Sequence, residues 1–184
     1  MLKIGPCTTQ SDLDHILDLQ RRNLKASLSS QQVRSDGFVT VEHEPELLGR
    51  MNDPYPHIIA KEEEEVVGYA LVMEERWRHE IEVLLPMFEE IDRQSWKGRS
   101  LMEWDYFIMG QVCVEDAYRG KGVFRKLFEG LKAQMEPHFD CCITEIALSN
   151  QRSLHAHLAV GFEEFHRYPA SDGDEWILVV QDYR

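Results

Sequence analysis

The chain has 184 residues, 43% of them hydrophobic and 29% charged, and is long enough to bury a core without disulfides or metals. Its net charge of −13 argues against a nucleic-acid partner, because phosphate binding needs a basic surface. An acidic surface favours cationic ligands such as amines, although a surface that only confers solubility has the same charge. No apolar run approaches the roughly 20 residues that span a bilayer, and the first residues lack an apolar signal core. We therefore expect a cytoplasmic protein without membrane contact.

The four cysteines, Cys7, Cys113, Cys141 and Cys142, lack the paired spacing of a metal site. The adjacent Cys141 and Cys142 would point to opposite faces of a strand, which disfavours a shared ligand or a disulfide between them. We expect reduced, buried thiols and no metal.

The first part of the chain alternates between strand and helix patterns. Ile4 begins a strand, and the polar stretch from Thr8 starts a helix over Asp12–Asn23 with apolar residues at helical spacing. A second helix runs either from about Gln31 to Gly37 or from Glu44 to Met51. Two further apolar stretches, His57–Lys61 and Glu65–Met73, predict a pair of strands that form a hairpin around an acidic turn.

The stretch from Arg76 to Asp92 carries apolar residues at helical intervals. Pro86 inside it predicts a break or two short helices. Lys97–Ser100 predicts a loop. A helical insertion over 76–103 therefore separates the third strand from the fourth.

The second half begins with a long apolar strand, Tyr106–Val114, in which Gly110 indicates a bulge or a close backbone approach. A helix begins at Val123, carries an apolar stripe and ends before Pro137. The remaining elements are a strand over Cys141–Leu148, a helix over Asn150–Val160 closed by Gly161, and two strands, Phe165–Tyr168 and Trp176–Gln181, around an Asp172-Gly173-Asp174 turn.

The predicted order is β-α-α-β-β-insertion-β-α-β-α-β-β. Hairpins at both ends and a β-α-β crossover in the middle predict an α/β (α+β) fold with a mixed sheet of about seven strands flanked by helices. We expect one domain over 1–184.

The segment Tyr118-Arg119-Gly120-Lys121-Gly122-Val123 follows an apolar strand and opens a helix. Helix N-termini present unpaired N–H groups and the positive end of the helix dipole, and glycines let the backbone approach an anion. The segment predicts a loop that binds a pyrophosphate through backbone amides, although a basic turn before a helix has the same pattern. It lacks both the GxxxxGK[ST] of a P-loop and the third glycine of a dinucleotide GxGxxG.

The residues from Val112 to Phe124 resemble the acetyl-CoA signature of the GNAT superfamily of N-acetyltransferases. There an apolar strand end leads through a short loop into R-G-x-G-[IV]-[GA] at the start of a helix. Phe124 departs from the usual Gly or Ala, and Ala117 stands where the other register of the motif has Gln or Arg. The resemblance implies that the pantetheine arm binds the backbone of Val112, Cys113 and Val114, and that the pyrophosphate binds Arg119, Gly120, Lys121, Gly122, Val123 and Phe124.

A second segment, Asn150 to Phe162, is similar to the family's N-x-x-[AS]-x-x-x-Y-x-x-x-G-F pattern and lies one strand after the loop helix. His157 replaces the usual Tyr. The resemblance implies that Asn150 and Ser153 contact the cofactor, although Asn150 is equally suited to be a helix N-cap.

The resemblance implies a GNAT-like sheet with the insertion between strands 3 and 4, and an N-acetyltransferase that uses acetyl-CoA and no metal. The acceptor would be a primary amine of a small molecule or a peptide. A homodimer is left open. The alternative function is a non-catalytic module with the same fold that binds or senses acyl-CoA.

The family's helix Tyr protonates the leaving thiolate, so the resemblance implies that role for His157, whose usual pKa suits a general acid; a packing histidine is the alternative. The candidate bases are Glu103 and Asp105 near the start of the long strand, and Glu145 on the next strand. Each would otherwise be a solvated carboxylate, with proximity and a water chain carrying the reaction. Cys113 is disfavoured as a nucleophile, because no paired histidine is identifiable.

The insertion over 76–103 carries aromatic and acidic residues, among them Trp77, Phe88 and Trp96. It predicts a lid over the acceptor side of the cleft. A dimer interface or an extra core layer explains the composition equally well.

Overall fold

The computed structural model describes residues 1–24, 38–169 and 173–184. The five helices in these ranges are α1 (Gln10–Asn23), α2 (Pro45–Met51), α3 (Leu85–Arg93), α4 (Val123–Met135) and α5 (Gln151–Leu158). The strands are β1 (Leu2–Pro6), β2 (Ile58–Glu62), β3 (Glu65–Met73), β4 (Ser95–Trp96), β5 (Arg99–Ser100), β6 (Tyr106–Val114), β7 (Cys141–Ala147), β8 (Glu163–Pro169) and β9 (Glu175–Asp182). The alternative helix over Gln31–Gly37, and Asp172 of the predicted last turn, lie outside the described residues.

The main sheet has seven strands in the order β1-β2-β3-β6-β7-β9-β8. The β6–β7 pair is parallel, with Tyr106 opposite Cys141, whereas β1–β2, β2–β3, β7–β9 and β8–β9 are antiparallel. The expected fold class, a mixed and largely antiparallel sheet flanked by helices, is confirmed. Of the two alternatives for the second helix, the later one is observed as α2.

The insertion forms separate short helical segments, as Pro86 predicted: two 3₁₀ turns, Glu75–Trp77 and Glu82–Leu84, precede α3. Pro86 lies in the first turn of α3, where its missing N–H has no intrahelical partner to lose. The predicted loop at Lys97–Ser100 contains a two-residue hairpin turn instead. Lys97 and Gly98 have φ of 49° and 79°, so β4 and β5 are joined by a turn whose twist matches that of the strands.

The chain divides into two compact units, described separately below. The first unit comprises Met1–Val72 and Met109–Met135, and the second comprises Met73–Ile108 and Glu136–Arg184. The expectation of one domain over 1–184 stays a prediction.

In the first unit, α1 begins with a capping box at Thr9. The Thr9 hydroxyl accepts from Asp12 N over 3.1 Å, and the Asp12 carboxylate accepts from Thr9 N over 3.2 Å. The buried side of α1 joins residues of α2, β2, β3 and β6 in one apolar cluster. Helix α4 contacts β1 and β2, where a Cβ on Gly130 would lie 3.2 Å from side-chain atoms of Ile4 and Ile58.

In the second unit, the β7–β9–β8 sheet has two covered faces. The segment after α5 lies on the face of Cys142, because Gln181, paired with Cys142, donates to Val160 O over 2.6 Å. The insertion lies on the other face, because Lys97 forms an ion pair with Asp182, the partner of Cys141. We call this second side the insertion face.

Candidate functional site

The strand end and the loop that follow the acetyl-CoA pattern lie in the first unit. Strand β6 ends at Val114, and Glu115 N donates to Val67 O over 2.8 Å. A short 3₁₀ turn over Asp116–Tyr118 then leads into the glycines. The loop therefore begins directly at the carboxyl end of a buried strand.

Gly120 and Gly122 adopt left-handed backbone conformations, with φ of 72° and 77°. A Cβ on either would meet no described atom within 4 Å, so the conformation, not a shortage of space, requires glycine there. The alternating glycines turn the backbone sharply, and they leave the loop surface open to a ligand.

Helix α4 starts immediately after the second glycine. Lys126 N donates to Gly122 O over 3.1 Å, so the N–H groups of the preceding turn lie outside the helical ladder. These groups and the positive end of the helix dipole suit an anion. The loop geometry suits an anion, and pyrophosphate binding here stays a prediction.

The side chain of Arg119 makes three polar contacts within the protein. Its guanidinium donates to Val114 O over 2.9 Å and to Asn23 Oδ1 over 2.8 Å, and it lies 3.1 Å from an Asp116 carboxylate oxygen. Its main action here is to hold the loop against the strand end and α1. Lys121 is exposed, with Nζ 5.4 Å from the Tyr118 ring centroid, and is the more available cation.

The residue that departs from the family pattern, Phe124, is half-buried and packs along its own helix. Its ring centroid lies 4.8 Å from that of Phe128, one turn later. The bulk of this side chain is thus accommodated beside α4.

Val112, Cys113 and Val114 form the end of β6. Burial raises the pKa of the Cys113 thiol to about 12, so it stays protonated near neutral pH and is a poor nucleophile. Gly68 on the neighbouring β3 permits the close approach of the two backbones, because a Cβ there would lie 3.2 Å from Cys113 O. These residues are suited to offer backbone groups, not thiol chemistry.

A buried polar network that the sequence analysis missed lies beside this strand end. Tyr69 OH donates to Gln111 Oε1 over 2.6 Å, and Gln111 Nε2 donates to Val41 O over 2.8 Å. Nearby, Gln20 Nε2 and His43 Nδ1 lie 3.0 Å apart, and burial lowers the pKa of His43 to about 4. The sequence did contain one sign of this network, because Gln111 is a polar residue inside an otherwise apolar strand. Its partners could not be predicted, since they are distant in sequence.

The second family-like segment lies in the second unit. The Asn150 side chain accepts a hydrogen bond from Ser153 N over 3.3 Å. Asn150 is therefore the N-cap of α5, which was one of its two expected roles. Gly161 has φ of 98°, and Phe162 N donates to His157 O over 3.2 Å, which closes the helix.

His157 is buried, with 1% of its surface exposed. Its Nδ1 lies 2.8 Å from Ser153 O; a carbonyl only accepts, so the neutral ring carries its proton on Nδ1. Burial lowers the pKa of His157 to about 4, and Phe162 packs edge-on at 5.3 Å. These contacts are those of the packing alternative, and the general-acid role stays a prediction.

The candidate bases Glu103 and Asp105 are both exposed. Glu103 pairs with Arg99 over 3.2 Å, and Asp105 precedes β6, with its N–H donating to Asp140 Oδ2 over 3.1 Å. Both lie at the amino end of the strand, and their catalytic role stays a prediction. Glu145, the candidate base on the next strand, accepts a hydrogen bond from Tyr168 OH.

The insertion contributes a core of its own to the second unit. Met87, Phe88 and Ile91 of α3 are fully buried, and the Arg78 guanidinium lies 4.8 Å from the Phe88 ring centroid. Phe88 is therefore a core residue, as in the alternative of an extra core layer.

The chain belongs to the acetyltransferase (GNAT) family, whose sequence profile matches residues 21–162. Curated protein sequences give no match. Among the described residues, none of the helices is both long and apolar enough to cross a bilayer, and no group of three or more potential metal-ligating side chains occurs.

Solved structures confirm the fold. The ribosomal-protein-S18-alanine N-acetyltransferase of Escherichia coli superposes with a TM-score of 0.63 at 15% identity, covering 100% of this chain and 94% of that one. YncA of Salmonella typhimurium, solved with its cofactor acetyl-CoA, gives a TM-score of 0.65 at 17% identity, covering 100% and 95%. An N-acetyltransferase of Staphylococcus aureus Mu50 gives 0.63 at 15% identity, covering 100% and 99%.

Proposed function

We propose that the protein transfers the acetyl group of acetyl-CoA to a primary amine by direct attack. The amine nitrogen bonds to the thioester carbonyl carbon, and the carbon–sulfur bond breaks. The nitrogen loses a proton to a base, and the CoA thiolate takes one up from an acid. No acyl-enzyme is involved, in keeping with the buried, protonated Cys113.

The observation that carries the proposal is the loop from Gly120 to Val123. Two left-handed glycines turn the chain directly into the N-terminus of α4, where backbone N–H groups lie outside the helical ladder. This arrangement suits the pyrophosphate of CoA. Membership of the family and the acetyl-CoA held by the Salmonella typhimurium protein support the choice of donor.

For the proton transfers we keep His157 as the proposed acid and Glu103 and Asp105 as the proposed bases. The exposure of the two carboxylates supports a route through solvent water. The neutral state of His157 requires it to gain a proton during the cycle before it can donate one. Positioning of the two substrates supplies most of the rate enhancement on this proposal.

Calorimetry with acetyl-CoA, CoA and a longer acyl-CoA tests the donor. Gly122→Glu places a side chain and a negative charge at the loop, so we expect it to abolish binding. Gly98→Glu is the matched control: Gly98 has the same left-handed conformation and open surroundings but lies in the hairpin turn of the insertion. Failure of the wild-type protein to bind any of the three ligands would overturn the proposal.

A second candidate function, a non-catalytic acyl-CoA sensor, is favoured by one observation: the residue at the family's tyrosine position is a buried, neutral histidine. Mass spectrometry of a panel of primary amines after incubation with acetyl-CoA separates the two. An acetylated amine above the enzyme-free background supports the enzyme; binding without any product supports the sensor.

The acceptor is a small-molecule or peptide amine on this proposal. The four free, buried cysteines support a reducing compartment such as the cytoplasm. A homodimer remains a proposal that sedimentation equilibrium would test.

A further inference from the structure

A cavity of about 490 Å³ lies in the first unit between helix α1 and the start of strand β3. Its volume falls within the range of about 300–1,000 Å³ that is usual for small-molecule sites. The lining residues are His15, Asp18, Arg21 and Arg22 of α1 and Glu65 and Val66 of β3. We call this space the α1–β3 cavity.

Two polar contacts attach α1 to the strands on either side of the cavity-lining residues. Near the start of the helix, Lys61 Nζ of β2 lies 2.8 Å from Asp12 Oδ1. Near its end, Arg22 Nη2 lies 3.0 Å from Glu115 Oε2, and Glu115 N donates to Val67 O. Ten residues of α-helix span about 15 Å. The cavity therefore lies along a stretch of helix that is held at both ends.

The cavity side of α1 is polar along its length. His15, Asp18 and Arg22 are three and four residues apart, a spacing that places side chains on the same face of a helix. Arg21 Nη1 lies 3.0 Å from Asp18 Oδ1, and Arg21 Nε lies 2.9 Å from Glu42 Oε1. The charges of Asp18 and Arg21 are thus already paired within the protein.

Three other lining groups can still take a partner. His15 Nδ1 is buried and has no hydrogen-bond partner within the described part of the chain. Arg22 is exposed and directs Nε to Asp18 O and Nη2 to Glu115, which leaves Nη1 for a ligand. Glu65, on the β3 side, is also exposed and forms no ion pair with any described residue.

The charges of these groups define the ligand. A guanidinium on one wall and a carboxylate on the other favour a ligand that carries both charges, because a ligand with a single charge is repelled by one of the walls. Val66, with 4% of its surface exposed, adds apolar surface to the lining. A zwitterion with a short aliphatic group combines these features.

We infer that the α1–β3 cavity binds an α-amino acid with an aliphatic side chain. The ligand carboxylate contacts Arg22, its ammonium contacts Glu65, and His15 Nδ1 hydrogen-bonds its polar head. The side chain of the ligand covers Val66.

This ligand is neither the acyl donor nor the acceptor of the proposed reaction. The residues of the loop from Arg119 to Phe124 do not line the cavity. An ammonium paired with Glu65 has no free lone pair, so it cannot attack a thioester. The cavity is therefore a further binding site, and the inference does not depend on the proposed function.

Attachment of α1 to the sheet does not by itself account for the cavity. The contacts of Asp12 with Lys61 and of Arg22 with Glu115 hold the helix without any help from His15. Buried polar atoms in folded proteins nearly always have a partner, and His15 Nδ1 in the wall of a cavity is well placed to receive one from a ligand.

The test uses the imidazole signals of the protein labelled with ¹⁵N, at constant pH. The chain has eight histidines, and His15→Gln identifies the signals of His15. Three probes are titrated: leucine, 4-methylpentanoate, which lacks the ammonium, and 3-methylbutylamine, which lacks the carboxylate. We expect leucine to shift the His15 signals saturably, and each of the others to bind about tenfold more weakly, equivalent to about 1.4 kcal/mol.

Glu65→Gln keeps the shape of the side chain and removes its charge, so we expect about tenfold weaker leucine binding. Glu64→Gln is the matched control, because Glu64 is the neighbouring carboxylate, has a side chain that is 96% exposed and lies outside the cavity lining. The signals of the other histidines report whether each variant is folded. His15 signals that leucine leaves unmoved, or equal weakening in the two variants, overturn the inference.

A repeat of the leucine titration with acetyl-CoA present separates this site from that of the cofactor. We expect leucine to bind in both cases. Competitive displacement by acetyl-CoA would assign the cavity to the cofactor, and formation of N-acetylleucine would make leucine an acceptor; either result overturns the inference. Leucine binding by a protein that binds no acetyl-CoA overturns the proposed function and leaves the amino-acid site in place.

Discussion

Arg119 donates through Nε to the carbonyl oxygen of Val114 over 2.9 Å, so the first residue of the R-G-K-G loop is tied to the last residue of β6. The same guanidinium reaches Asn23 Oδ1 at the end of α1. The loop is thus positioned by its own arginine before any ligand arrives.

Replacing Arg119 with Ala should destabilise the first unit and weaken acetyl-CoA binding together. Loss of a charge-assisted hydrogen bond to a partly buried partner costs about 1–3 kcal/mol, and the untied loop must be ordered by the ligand. Urea denaturation and calorimetry measure the two effects. Lys126→Ala, which removes an exposed cation of α4, is the control and should change neither. Unaltered cofactor affinity in Arg119→Ala would contradict the positioning role.

Gly68→Ala should be more destabilising than Gly130→Ala. The new methyl at 68 would lie 3.2 Å from a backbone oxygen, Cys113 O, which cannot move without shifting β6, and we expect a loss of about 1–3 kcal/mol. The methyl at 130 would meet only side-chain methyl groups of Ile4 and Ile58, while alanine gains about 1 kcal/mol of helix propensity. Chemical denaturation measures the free energy of unfolding of both variants. Equal losses in the two variants would contradict the prediction.

Stability should fall as the pH is lowered from 6.5 towards 3, because buried His57 remains neutral in the fold. Burial lowers its pKa from 6.5 to about 3. In this window the unfolded chain binds the proton and the folded chain does not, so the free energy of unfolding rises with pH. The contribution of His57 approaches about 1.4 kcal/mol per pH unit.

The contacts of His57 explain why it resists protonation. Val72 N donates to Nδ1 over 3.1 Å, and Nε2 donates to Leu48 O over 3.2 Å, so a second ring proton would break the Val72 bond. Urea denaturation between pH 7 and about 4.5 measures the slope. His57→Gln should be less stable at pH 7 and show a smaller slope; an unchanged slope would show that His57 titrates alike in the folded and unfolded chain.

Tyr69→Phe should cost about 1–2 kcal/mol although the ring is kept, because Gln111 Oε1 loses its donor in a buried site. Tyr118→Phe is a suitable control, since its hydroxyl bonds to Glu62 near the surface. Denaturation midpoints report the difference. If both variants lose the same free energy of unfolding, the buried hydrogen bond of Tyr69 contributes no more to stability than the surface one of Tyr118.

His157→Phe separates catalysis from packing. An enzyme that uses the imidazole should lose kcat and retain its acetyl-CoA affinity, whereas a packing role predicts a stability change with kcat kept. The buried ring beside Phe162 is close in size to phenylalanine, so the variant should fold. Single-turnover kinetics and calorimetry on the same preparation distinguish the two.

Local signals explain most of what the sequence predicted. The alternating and helical patterns gave β3 and β6 with their observed bounds, and Gly120 and Gly122 marked a loop that needs left-handed backbone. The hairpin of β4 and β5 was missed because two-residue strands carry no periodicity. Pro86 indicated an interruption that the structure has, because proline is tolerated only in the first turn of a helix and short turns precede it.

The parts of the candidate sites that escaped prediction depend on partners far apart in the chain. Tyr168 meets Glu145 only because β8 and β7 flank β9, a strand order that no local pattern reveals. Likewise, the burial that keeps His157 neutral comes from packing of α5, whereas the sequence left a general acid and a packing histidine both open.

The four native thiols have a practical consequence for labelling. All are buried, and burial raises the pKa of Cys7, Cys113 and Cys141 to about 12, which leaves almost no reactive thiolate near neutral pH. A cysteine introduced at exposed Lys97, in the hairpin turn, would be the site that a maleimide dye modifies first. A fluorescent reporter can therefore be attached to the insertion without removing any natural cysteine.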